Sequence, residues 1–377
     1  MFLDLVLLLL ANPAAVHTPL PGMPPVVNPR DIYAADHAND LSPVARGFPS
    51  LIYVPNSGSS SVDVIDPKTF KIVRHFRVGR QPQHVTPSYD LKTLWVLNDL
   101  GDSLTRIDPA TGQKKDTVKV KDPYNMYYTP DGKFAIVVAE RVHQLDFRDP
   151  ATMKLEYSLK VPCRGVDHMD FTADGRFLIA SCEFSAELLK VDVVKHEIAG
   201  TLALMAPHEN PGMHHPSHSI EYNQDGMPQD VKTSPDGSVF YVADMVANGV
   251  YLIDPDAFKI IGFLPTGDGA HGLYVSRDSK VLYVSNRGEG SVSVIDLATR
   301  KIVEKWRIPG GGSPDMGGVS ADGKVLWLSG RYNREVYAID TQSGTVLARI
   351  KVGKGPHGLC VYPQPGRYSL GHTGVFR

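Results

Sequence analysis

The sequence predicts an all-β protein, a seven-bladed β-propeller in which the two chain ends complete one shared blade. Three observations carry this. First, a strand-turn-strand phrase recurs as VTPSYDLKTLWV, YYTPDGKFAIVV, DFTADGRFLIA, VKTSPDGSVFYV, LYVSRDSKVLYV, GVSADGKVLWL and CVYPQPGRYSL, with its marker position at Asp90, Asp131, Asp174, Asp236, Asp278, Asp322 and Gln364. The successive spacings are 41, 43, 62, 42, 44 and 42 residues, the period of a four-stranded blade whose Asp-Gly step makes the tight turn. Second, a hairpin phrase of two β-branched or aromatic runs around a polar loop also occurs seven times, from YVPNSGSSSVDVID to WLSGRYNREVYAID. Third, the chain opens with a hairpin that lacks a preceding strand and closes with a strand that lacks a following hairpin, so pairing the two removes the open sheet edge.

Composition agrees with a folded, turn-rich chain: 42% apolar and 21% charged residues, with 34 glycines and 29 prolines in 377 residues. A formal charge of −2 offers no field for nucleic acid or an anionic membrane. Three cysteines, Cys163, Cys182 and Cys360, allow at most one bridge, and buried free thiols are the expectation.

In chain order, residues 1–18 hold an apolar run of signal-segment length, MFLDLVLLLL, followed by small residues. It predicts export to the periplasm or beyond, although no Lys or Arg precedes the run and Asp4 interrupts it. Residues 19–50 are Pro-rich and read as an extended tail or linker. Residues 51–363 form the propeller, with an insertion at 203–226 that accounts for the 62-residue spacing, and 364–377 are a tail expected to pack across the closing blade. Beyond the signal-like run nothing reaches the length of a membrane span.

The repeat resembles the YVTN β-propeller family. The residues that carry the likeness are Tyr53-Val54-Pro55-Asn56, Tyr241-Val242-Ala243-Asp244 and Tyr283-Val284-Ser285-Asn286, each followed by a strand like Val292 to Asp296. The resemblance implies that the first strand of each blade lines a central channel and that the loops entering those strands share one face. It is poor in function, since a fold does not fix an activity.

Six residues before each marker stand His84, Asn125, His168, Asp230, Gly272, Met316 and Gly358, and one residue earlier Gln83, Tyr124, Asp167, Gln229, His271, Asp315 and His357. On the implied fold these converge on one channel mouth. His84, His168, His271 and His357 are therefore candidate metal ligands, and the insertion, PHENPGMHHPSH, adds His208, His214, His215 and His218 on the same face. Imidazoles beside Met205, Met213 and Met316 suit copper, and imidazoles with a carboxylate suit other transition metals. Haem ranks behind both. Asn125, Asp167, Asp230, Asp315, Arg287 and Arg331 are candidate ligand-binding residues. The two arginines can form paired hydrogen bonds with a carboxylate or phosphate, or else serve as salt bridges between blades. The recurrent Asp66, Asp108, Asp254, Asp296 and Asp340 read as turn devices.

No hydrolase elbow, zinc-protease helix, phosphate loop or haem-attachment motif is present. The leading reading is a binding module for a small-molecule ligand, a metal or a protein partner. A metal- or haem-dependent oxidoreductase using the same histidines is the alternative. A lactonase-like hydrolase comes last, because Gly272 and Gly358 interrupt its acidic ring.

Overall fold

The computed structural model describes residues 18–204 and 226–377. Their strands form seven sheets, one per blade. Blade 1 is the shared one: Cys360–Tyr362 is its innermost strand, followed outward by Leu51–Asn56, Ser61–Asp66 and Lys71–Arg77. The closure register is Leu51 with Tyr362, Ile52 with Val361 and Tyr53 with Cys360. Blades 2 to 7 begin with the inner strands Pro82–Pro87, Asn125–Tyr128, Val166–Phe171, Pro228–Thr233, Ala270–Val275 and Pro314–Val319. In each of these the next three strands follow in sequence order, all antiparallel.

Burial falls from the axis outward. Every residue of Pro82–Pro87 and Val166–Phe171 is buried, whereas the outermost Lys71–Arg77 and Gln113–Lys119 are largely exposed. The apolar core lies between blades: Trp327, Val336 and Ala338 of blade 7 pack with Ile52, Val54 and Val361 of blade 1. At about 25 cal/mol per Å² of buried apolar surface, such seams make each blade depend on its neighbours, and closure joins the last to the first.

The repeated Ser/Thr-x-Asp phrase has one mechanism. The hydroxyls of Ser88, Thr129, Ser234, Ser276 and Ser320 each donate to the aspartate two residues on, at 2.6 to 2.7 Å. The same aspartate oxygen accepts a backbone N–H two residues further, as from Lys133 and Ser238, and the hydroxyl accepts the N–H that opens the second strand, as from Phe134 and Val239. The clamp closes the turn with side chains that imitate backbone partners. The other recurrent aspartates also act in turns, with Asp296 accepting from Thr299 and Asp340 from Ser343.

Two expectations are corrected and a third is extended. Cys163 and Cys182 form a disulfide, leaving only Cys360 free and buried. Val166 pairs with Cys182 across blade 4, which brings the loop holding Cys163 back over the end of that strand, a proximity that spacing does not display. The Pro-rich segment is no free linker. Leu20 N–H donates to Asp174 O, Ile32 N–H to Pro235 O and Asn39 N–H to Ala321 O, so it runs across the clamped turns of blades 4, 5 and 7. The tail packs on the closing blade, where Phe376 joins the core of Leu51, Tyr53 and Tyr362, but it also reaches further: Ser369–Gly371 pairs with the inner strand of blade 3, with Gly371 opposite Tyr127, and Val375–Phe376 adds a further strand. No helix among the described residues is long and apolar enough to cross a membrane.

Candidate channel site

The pairing register slips near the start of the inner strand in blades 2, 4, 5, 6 and 7. A bulge of this kind frees residues from the ladder and re-aims their side chains. Two consecutive residues per blade are thereby buried at the channel, as with Gln83 and His84, Asp167 and His168, Gln229 and Asp230, and Asp315 and Met316. Gly358 interrupts no ring of ligands. A Cβ there would overlap the imidazole of His84, so the glycine makes the space that His84 occupies.

The four inner histidines form one cluster. Ring centroids of His84 and His357 lie 4.8 Å apart, His84 and His168 5.6 Å, His271 and His357 5.9 Å, and His168 and His271 6.3 Å. A fifth imidazole, which the repeat could not reveal, completes it: His372 of the tail lies 4.8 Å from His168 and 5.1 Å from His84. Burial holds all five neutral. It lowers His84 to about 3 and drives the other four well below the usual histidine value.

Asp315 organises the mouth. One oxygen lies 2.8 Å from His357 Nδ1, and the other lies 3.2 Å from His271 Nδ1 and 3.1 Å from Arg287 Nη1. Burial opposes ionisation, but His271, Arg287 and Arg331 outweigh it and keep this carboxyl below its ordinary range. With the two Nδ1 atoms donating to Asp315, each ring presents an Nε2 lone pair, the arrangement that orients metal-binding imidazoles. Arg287 of blade 6 is thus committed largely to Asp315 of blade 7 and links the two blades, whereas Arg331 Nη1 lies 3.9 Å from Asp315 within blade 7.

Opposite in character is Asp167. Among the described residues neither of its oxygens has a hydrogen-bond partner, although Oδ1 comes within 3.2 Å of His168 Nε2. Burial, then the nearby Glu183 and Glu140, raises its proton affinity strongly, and Glu140 itself is pushed up to about 9 by burial and by Glu183. The mouth therefore combines neutral acids able to ionise with imidazoles able to accept.

Asp230 and Asn125 sit deeper. The carboxylate of Asp230 accepts from the N–H groups of Val231 and Leu273, both at 2.9 Å. The amide nitrogen of Asn125 lies 3.1 Å from His168 Nδ1 and 3.0 Å from His372 Nδ1. Met316 Sδ lies 3.2 Å from His271 Nδ1 and accepts from the Tyr274 hydroxyl at 3.6 Å. His208, His214, His215 and His218, with Met205 and Met213, lie outside the described residues.

A ring of seven antiparallel blades with a polar axial site defines the class: a β-propeller carrying a channel site. Residues 9–198 and 217–366 match the model of the YNCE-like beta-propeller family, and the chain belongs to that family. Among curated proteins none matches by sequence. Similar solved structures include Kuenenia stuttgartiensis hydrazine synthase, with 20% identity, a TM-score of 0.63 and coverage of 81% of this chain and 99% of that one. A functionally unknown protein from Desulfotomaculum acetoxidans has 14% identity and a TM-score of 0.66, covering 82% and 98%. The dihydro-heme d1 dehydrogenase NirN in complex with DHE has 16% identity and a TM-score of 0.60, covering 85% and 75%. At these identities the likeness is one of fold.

Proposed function

We propose that the protein is an exported propeller of YVTN type that binds a metal ion or a small metal-bearing ligand at the channel mouth, between His84, His271 and His357 on one side and Asp167 on the other. One observation carries this reading. Both nitrogens of His84, Nε2 of His357 and both oxygens of Asp167 are buried without a hydrogen-bond partner among the described residues. Leaving such groups unpaired costs about 1–3 kcal/mol each, a cost that a coordinated ligand offsets. The Asp315 contacts favour metal binding further by fixing the tautomers of His271 and His357. An arriving cation would also ionise the neutral acids, so binding releases protons. The Cys163–Cys182 disulfide supports export, because such bonds persist in oxidising compartments.

The test uses full-length protein without a histidine tag, stripped with a chelator, loaded with Zn²⁺ and dialysed. H271A/H357A should lose the metal bound at the mouth while keeping wild-type circular dichroism. If this variant retains the wild-type metal content, the mouth does not bind metal.

A further inference from the structure

The tail enters the channel from the face opposite the mouth, and its placement is over-determined. Gly371, at φ 101°, passes so close to Met126 and Tyr127 that a Cβ would strike their backbone. His372 N–H donates to Met126 O at 2.8 Å, and its ring stacks on Tyr127 at 5.8 Å and 12°. Ser369 Oγ donates to Pro87 O at 3.1 Å, and Arg377 Nη2 to Asp170 Oδ1 at 2.9 Å. Leu370 and Val375 belong to the apolar core shared with blades 3 and 4. A plug needs only bulk, yet this one delivers an imidazole to a cluster of imidazoles.

We infer that the tail supplies a metal ligand: His372, with His168 and Asp230, forms a two-histidine, one-carboxylate site for a divalent first-row ion, a step below the mouth. One ligand atom from each of the three lies within 4.8 Å of the other two, and all three residues are buried. His372 Nε2 stands 3.9 Å from Asp230 Oδ1. That is too long for a hydrogen bond, and binding a shared tetrahedral ion at about 2 Å would draw the two atoms to about 3.3 Å from each other, a small inward movement. Nε2 of His168 and of His372 has no hydrogen-bond partner among the described residues. Asp230 already accepts two N–H bonds, but an ionised carboxylate has about four acceptor sites, so it can also ligate. His84, which belongs to the mouth, stands beside both rings.

Asn125 sets the tautomer. With its amide nitrogen toward the two Nδ1 atoms, both Nε2 atoms carry hydrogen. Turning the amide over on metal binding would let its oxygen accept from both Nδ1–H groups and free both Nε2 lone pairs, the usual support of a metal-bound histidine, in exchange for the Met126 N–H bond that Asn125 Oδ1 accepts at 2.9 Å. Lys232, two residues along the strand from Asp230, opposes the ion: its charge acts on Asp230, His168 and His372. Donors of this kind suit zinc or iron(II) over copper, for Met316 is engaged with His271 and Tyr274.

This inference deepens the binding reading but rests on different residues, so each can fail alone. Stripped full-length protein is titrated with Co²⁺, followed by its visible absorption, and then with Zn²⁺ in competition. H372Q should weaken the tail-site ion at least about tenfold, H168Q should do the same, and K232M should tighten it. Wild-type affinity in H372Q overturns the inference, as does loss only on replacing His208, His214, His215 and His218 together. Should H372Q not fold, K232M decides: an unchanged affinity means that no ion sits beside Lys232.

Discussion

The two faces of the ring obey different rules. On the turn face the blades are copies: Ser88 with Asp90, Ser234 with Asp236 and Ser320 with Asp322 make the same clamp at nearly the same distance. At the mouth the equivalent residues of blades 2 to 7 are Gln83, Tyr124, Asp167, Gln229, His271 and Asp315, with His357 in blade 1. No two neighbours there are alike. The clamp recurs in the six blades whose inner strand turns directly into the next, whereas nothing in blade geometry asks for an imidazole at the axis. Repetition marks what the fold requires, and departure from it marks where a site can be built.

The largest effect should come from breaking closure. Ending the chain before His357 removes the strand that pairs with Leu51–Asn56 and also the tail that fills the channel. The expected outcome is loss of cooperative unfolding in a urea titration, since blade 1 is left with an open edge and the seam to blade 7 loses Val361. A single sharp transition at the wild-type midpoint would show that the ring does not depend on its shared blade.

Acid should come next, and it acts on the mouth rather than on the turns. His84, lowered from 6.5 to about 3, and the four other imidazoles are neutral in the fold but protonate near 6.5 when unfolded. The unfolded chain therefore binds more protons below 6.5, and the metal-free protein loses stability as pH falls through that value. Glu140, raised from 4.5 to about 9, works in the opposite sense and costs stability as pH rises between those values. Thermal midpoints should fall steeply below about pH 6.5 and gently toward alkaline pH. Replacing His84, His168 and His357 by Gln should flatten the acid limb, and an unaltered limb would assign it elsewhere.

A smaller, local effect is expected at Gly358. G358A places a methyl where the His84 ring lies, and overpacking of this kind costs about 1–3 kcal/mol. H84A should relieve it, so the double variant is more stable than the two losses added together. Simple additivity in urea midpoints would mean that the two residues do not compete for space.

The legibility of the chain follows the same division. Blade number and closure could be read because turn chemistry repeats at a fixed period, and the convergence of His84, His168, His271 and His357 followed from counting back from the turns. His372 could not be found this way. The tail belongs to no repeat, and its pairing with Tyr127 depends on the close approach that Gly371 permits, which is a tertiary fact. The Cys163–Cys182 bridge was hidden for the same reason. Gly358 was visible as a gap in a ring of donors, but its purpose depends on the neighbouring blade. The Pro-rich segment looked like a linker because its backbone partners, such as Pro235 and Ala321, are supplied by distant turns.

The smallest predicted effect is the sharpest test of the contrast between faces. D236A removes the acceptor for the Ser234 and Ser238 hydroxyls and for the Ser238 N–H. The turn is close to solvent, so water replaces part of what is lost, and the cost should be about 1 kcal/mol. D131A removes the equivalent contacts of Thr129 and Lys133 in blade 3 and should cost the same. The two turns share no partner, so the double variant should lose the sum to within about 0.5 kcal/mol. Mouth substitutions should behave otherwise: D315N disturbs His271, His357 and Arg287 together, and its effect should not add to that of H357A. Chemical denaturation of the two double-mutant cycles gives the comparison directly. Equal coupling in both would mean that the mouth is as modular as the turns, and the division between a repeated scaffold and a singular site would fall.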